Sequence, residues 1–186
     1  MEKLNEDFSF DKYGLRVQLV NENDAEFILS LRANPNRTKH MVTLDNNIEN
    51  QIKWIQEYKK NERKGLDYYF IYRNFEDRSI GVNRISHLDY NSKSAKSSSW
   101  ISVDGLKFEP LKMLLLGNEI VFNQIGINIT YGEVHKMNAR AIKIFKLFGY
   151  KIKDTPTEFY NFSLAKDDFL KACENNILNR LIATNK

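Results

Sequence analysis

The chain has 186 residues, 42% hydrophobic and 28% charged, with a formal net charge of +4. No apolar run approaches the roughly 20 residues needed to span a bilayer, which excludes a membrane-spanning chain, and the single cysteine, Cys173, excludes an internal disulfide. The lysines are spread out rather than gathered into a basic arm, which argues against nucleic acid and suits anionic small molecules instead.

Leu15 to Val20 alternates apolar and polar side chains and predicts a first strand. Asn23 or Asp24 can cap a helix carrying Phe27, Ile28 and Leu31 that ends near Asn34-Pro35. A second helix is predicted from about Ile48 to Asn61, with Ile48, Ile52, Ile55 and Trp54 turned inward. Two strands, Tyr68 to Arg73 and Ser79 to Tyr90, flank the turn Asn74 to Asp77. Asn91 to Lys96 reads as a polar turn before a fourth strand, Ser98 to Val103. Pro110 suits the first turn of a longer helix that carries Met113, Leu114, Leu116, Ile120 and Val121 to Gly126. Ile127 to Val134 is a fifth strand, Phe159 to Ala165 a late one, and Asp167 to about Leu181 a last helix. No linker or repeat interrupts the series, so residues 1–186 are expected to form one α+β domain. The polar start, Met-Glu-Lys-Leu-Asn-Glu-Asp, lacks a signal-peptide core, and with one cysteine it predicts a cytoplasmic protein. His40, His87 and His135 lack ligand spacing, so no metal site is expected.

The most informative stretch runs from Tyr131 to Tyr150. It reads as a buried strand, a loop opening on Asn138, and a helix whose Ala141, Ile144, Phe145 and Phe148 share one stripe before Gly149 stops it. This stretch, and the order strand, two helices, three strands, helix, strand, helix, strand, resembles the GNAT family of N-acetyltransferases. The resemblance implies a central mixed, mostly antiparallel sheet splayed between the fourth and fifth strands and flanked by helices. It also implies transfer of an acetyl group from acetyl-CoA to an amine. Such a reaction needs a neutral amine, a donor for the developing oxyanion and well-placed substrates.

In the family, the loop before the long helix carries Arg/Gln-x-x-Gly-x-Gly, whose amides hold the coenzyme A pyrophosphate. Here Gly105, Phe108 and Pro110 fall at the three signature positions and none matches; Glu109 adds a negative charge there. What remains for the phosphates is the amides of Leu111 and Lys112 and the side chains of Lys107 and Lys112. A backbone N–H of the fourth strand, around Ile101 to Val103, is expected to meet the oxyanion. Asn138 matches a position contacting the cofactor arm, and can equally be a helix N-cap. Phe145 stands where many relatives have a tyrosine acid, so that acid is missing and the ring is expected to pack. Glu133 falls where related enzymes have a glutamate near the amine, and reads either as general base or as a solvated strand residue. His135, two residues on, shares its face.

For the acceptor, Leu31 to Met41 followed by Gln51-Ile-Lys-Trp-Ile55 resembles the branch acting on nucleotide-linked sugars. Arg32, Arg37, Lys39 and His40 are candidates for a diphosphate, and Met41 or Trp54 for a base or sugar face. Asn83, Arg84 and His87 are further candidates, although Asn83 and Arg84 cannot both line one cleft. The expected partner is thus a small-molecule amine, foremost a nucleotide-linked amino sugar, and a homodimer is compatible with the sequence. Two other readings stay open: a binding module with a degenerate phosphate loop, and an acetyltransferase of protein N-termini.

Overall fold

The computed structural model describes residues 3–38 and 46–174. Among them an eight-stranded sheet runs in the order β1 (Ser9–Lys12), β2 (Leu15–Leu19), β3 (Asp67–Asn74), β4 (Ser79–Asp89), β5 (Ser94–Ser102), β6 (Ile129–His135), β8 (Phe159–Ala165) and β7 (Lys151–Lys153). Every neighbouring pair is antiparallel except β5 and β6, which are parallel. This is the expected mixed, mostly antiparallel α+β sheet, with β5 and β6 as the fourth and fifth strands of the sequence reading. The short edge strands β1 and β7 were not foreseen. Each has three or four residues and largely exposed side chains, too little pattern to read.

Helices cover the two faces. On one lie α1 (Ala25–Ala33), the single turn α2 (Pro35–Thr38) and α3 (Ile48–Arg63); on the other lie α4 (Glu109–Glu119), α5 (Ala139–Leu147) and α6 (Lys166–Cys173). The alternation of β3 divides its side chains between two cores. Tyr69 and Ile71 join Ile28, Leu31 and Ile55, while Tyr68, Phe70 and Tyr72 join Met113, Leu116 and Phe122. With both faces covered, Tyr68 to Tyr72 is buried throughout, each side chain worth about 1.5–3 kcal/mol of apolar transfer.

Several boundaries differ from the sequence reading for physical reasons. β5 begins at Ser94 rather than Ser98, because Ser94 to Lys96 pair with β4 and β6 although only Ala95 among them is buried. On α3, Ile48 and Trp54 are exposed, and Ile55 and Tyr58 take the core. α4 continues as a π-helical segment, Ile120–Ile125, which ends where Gly126 adopts φ +81°. α6 is described to Cys173; the expected extension to Leu181 lies outside the described residues.

Candidate active site at the strand fork

β5 and β6 are joined only at Ser94–Ile129, Ala95–Thr130 and Lys96–Tyr131, after which they separate. Gly132 sits at the point of parting. A Cβ there would lie 2.5 Å from the Ser97 carbonyl oxygen and 2.5 Å from the Phe162 ring, so any larger residue would push strand and ring apart. Two residues of β5, Ser99 and Trp100, stand opposite one residue of β4, and Ser99 carries φ +53°. This bulge re-aims the end of β5 away from β6. A cavity of about 500 Å³ fills the opening, walled by β5 from Ser97 onward, by Glu133 and His135, by the start of α5, and by Phe145 and Phe162.

Backbone direction along β5 corrects one expectation. The Val103 N–H donates to the Ile80 carbonyl at 2.9 Å, so it faces β4 and is not an oxyanion donor. Ile101, two residues before and paired with Val82, faces the same way, and alternation turns the Ser102 N–H toward the opening. Ile101 and Val103 border the cavity, but their amides face β4.

On β6, Tyr131, Glu133 and His135 share the face that α1 and α3 leave uncovered beyond β5. Glu133 borders the cavity, is exposed, and makes no ion pair among the described residues. His135 Nδ1 accepts the Met137 N–H at 3.1 Å, and its ring meets Phe159 edge-on at 5.2 Å. In the neutral ring this bond places the proton on Nε2, making that atom a donor rather than a base.

On the opposite face, Asn138 caps α5, its Oδ1 accepting the Ala141 N–H at 3.1 Å. Phe145 is 6% exposed and packs between Trp100, Tyr150 and Phe162, with ring centroids 5.8, 4.7 and 4.8 Å away. Tyr150 offers no substitute acid: its hydroxyl is bonded to Asn118, and burial raises its pKa well above the usual phenol range.

The start of α4 is built differently from the reading of its sequence. The Leu111 and Lys112 amides both donate to the Phe108 carbonyl, each at 3.0 Å, and are not available to a phosphate. The converging donors are the Lys107 and Phe108 amides, and Glu109 Oε2 accepts from both at 3.1 Å. Lys107 itself is exposed beside them. Glu109 was read only as an unfavourable charge; its reach back to the preceding amides depends on a loop conformation that no local pattern encodes.

On the acceptor side, Arg32 extends from α1 to the β5 bulge, where Nη2 donates to Ser99 Oγ at 3.1 Å. Its Nε is buried without a hydrogen-bond partner among the described residues, and it lies beside the Tyr69 hydroxyl. Burial raises the Tyr69 pKa while Arg32 pulls it the other way. Asn83 does not line this side. It is 4% exposed on the α4 face and accepts the Tyr72 hydroxyl at 2.7 Å, because the register of β4 turns its neighbour Arg84 to the acceptor face instead. Arg84 pairs with Asp67 through two hydrogen bonds, and its guanidinium lies 5.0 Å over the Trp54 ring. Trp54 in turn stacks on Tyr58 at 5.7 Å. His87 stands at the far end of β4, bonded to Ser86. Lys39, His40 and Met41 lie outside the described residues, and the side chain of Arg37 is not described. Among the described residues, no cluster of His, Cys, Asp and Glu could hold a metal, and no helix is long and apolar enough to cross a membrane.

Comparison with known proteins agrees with this geometry. The chain is 29% identical to FdhC, a nucleotide-linked sugar GNAT, in a superposition covering 95% of this chain and 98% of that one with a TM-score of 0.82. It is 24% identical to the acetyltransferase PseH of Campylobacter jejuni, over 80% of this chain and 90% of PseH. The fold is shared with spermidine N-acetyltransferase from Vibrio cholerae, solved with coenzyme A and spermine, at a TM-score of 0.71 and 14% identity over 84% of this chain and 98% of that one. Residues 17–163 match the family model of the acetyltransferase (GNAT) domain, and the chain belongs to that family of N-acetyltransferases.

Proposed function

We propose that this chain, working as one domain over residues 1–186, acetylates the amino group of a sugar carried on a nucleotide diphosphate. The observation that carries this reading is the cationic and aromatic wall on the acceptor side of the fork. Arg32 reaches the bulge at Ser99, and Arg84, opposite Ser98 on the neighbouring strand, lies over a Trp54 ring that is 39% exposed. A guanidinium suits a diphosphate, and a partly exposed indole suits a base or sugar face. His40 and Met41, outside the described residues, belong to the same acceptor reading by their place in the sequence. The likeness to FdhC, a nucleotide-linked sugar GNAT, supports the same acceptor class.

The fork fits the acyl-pantetheine arm of acetyl-CoA. Its separated strands leave the Ser102 amide turned to the cavity, and Phe145 and Trp100 give an apolar wall that excludes water. When bound, acetyl-CoA supplies a thioester carbon open to attack by an amine. In this reading Glu133 takes the proton that the amine gives up, and Ser102 N–H donates to the carbonyl oxygen as negative charge develops there. Asn138 holds the start of α5 against the arm, and Lys107 meets the phosphates.

The test is a thiol-release assay with acetyl-CoA against nucleotide-linked amino sugars, N-terminal peptides and polyamines. Turnover should be confined to the first class, and Arg32→Ala should raise the acceptor KM about tenfold. Equal kcat/KM for a peptide or a polyamine would refute the assignment, and its confinement to a peptide would favour action on protein N-termini.

A further inference from the structure

We infer that Glu109 is an internal competitor for the phosphate end of the donor groove, and that this residue sets the affinity for donors bearing a pyrophosphate. The inference rests on the donor reading above, and concerns what this chain does with an anion seat that its relatives fill with glycine-loop amides.

The Lys107 and Phe108 amides converge on a single oxygen, Glu109 Oε2, at 3.1 Å each. Two backbone donors aimed at one oxygen at a helix start also suit a phosphate oxygen. The carboxylate is not a helix cap of the kind that Asn21, Asn47 and Asn138 provide here, where a side chain outside the helix accepts from amides within it. Glu109 lies inside α4 and reaches backward, to amides that precede it, while the N-cap residue Phe108 makes no side-chain cap. Its ionised oxygen therefore occupies two amides of the loop between Asp104 and Pro110, residues that both border the cavity. Since Leu111 and Lys112 spend their amides on Phe108, an incoming diphosphate has no alternative pair of backbone donors on this turn. It must displace the carboxylate and then remain close to its charge. The half-buried position of Glu109 permits this rotation, which a packed side chain would not.

A donor without the pyrophosphate avoids this competition. Acetyl-CoA and acetyl-pantetheine, which share the thioester arm, should therefore respond differently to loss of the carboxylate. The experiment is calorimetric titration of both into wild type, Glu109→Gln and Glu109→Ala, with a thermal melt to confirm that each variant is folded. Expected is an acetyl-CoA Kd about tenfold tighter in Glu109→Ala, an intermediate value in Glu109→Gln, and one common Kd for acetyl-pantetheine. An unchanged or weaker acetyl-CoA Kd in Glu109→Ala, or an equal gain for acetyl-pantetheine, overturns the inference and leaves the proposed function standing. Failure of wild type to bind either donor would count against the proposed function instead. In that case binding of acetyl-CoA that emerges in Glu109→Ala supports the competitor, and its continued absence refutes it.

Discussion

The two ends of the donor groove treat their backbone in opposite ways. At the fork, β5 and β6 stop pairing after three residue pairs, and the Ser102 amide turns to a cavity with no strand beside it. At the start of α4, the Lys107 and Phe108 amides are taken by Glu109, and the Leu111 and Lys112 amides by the Phe108 carbonyl. Unpaired backbone is costly when buried, so it persists where the surrounding structure enforces it. The fork is set by the bulge, just past the close approach that Gly132 permits, whereas the helix start has closed upon itself. The reacting end therefore keeps an amide open to the cavity while the phosphate end satisfies its own.

The sharpest way to break this contrast is to force the strands apart at the base of the fork. In Gly132→Val the new Cβ would meet the Ser97 carbonyl and the Phe162 ring at 2.5 Å, inside any allowed contact. Neither neighbour yields easily, since one is sheet backbone and the other is packed against Phe145 and Tyr150. The substitution should cost about 3 kcal/mol by overpacking, measured by urea denaturation. A loss below 1 kcal/mol would show that the close approach of strand and ring does not depend on this glycine.

A second test stays at the fork and leaves its shape alone. Glu133→Gln preserves size on an exposed strand position, so stability should barely change. As the group proposed to take the amine proton, its loss should lower kcat/KM about 100-fold, or 2.7 kcal/mol. An undiminished rate would reassign Glu133 as a solvated strand residue.

How much of this was legible in the sequence depended on how local each cause is. The Asn138 cap, the α5 stripe and the stop at Gly149 were readable because capping and 3.6-residue periodicity act within a few residues. Ser94 to Lys96 was taken for a turn because its strand character comes from neighbours in β4 and β6, not from apolar alternation. Alternation did show that Asn83 and Arg84 could not share a cleft, but only the pairing with β3 and the position of α4 decided which faced the acceptor. The Val103 amide was misassigned for the same reason: side-chain pattern reveals which face a residue takes, whereas the direction of its N–H requires the register with β4. Gly132 carries no local signal of its role, since its reason lies in Ser97 and Phe162, remote in sequence.

The smallest effect is expected at Phe145, where the family's usual acid is missing. Its ring is held on three sides by Trp100, Tyr150 and Phe162, so Phe145→Tyr adds one hydroxyl to a packed position bordering the cavity. The added oxygen should cost at most about 1 kcal/mol of stability if it reaches the cavity, where water can satisfy it. A thiol of ordinary acidity, with a pKa of about 8.5, leaves as a thiolate near neutral pH and can take its proton from water. Restoring a phenol should therefore change kcat by less than about threefold, because protonation of the leaving sulfur does not limit this chain. A rise of tenfold or more, read in kcat across pH 6 to 9 on the order of one-unit steps, would show the opposite. The reacting end of the groove would then have been altered as well, and the contrast with the phosphate end would narrow to the strand fork alone.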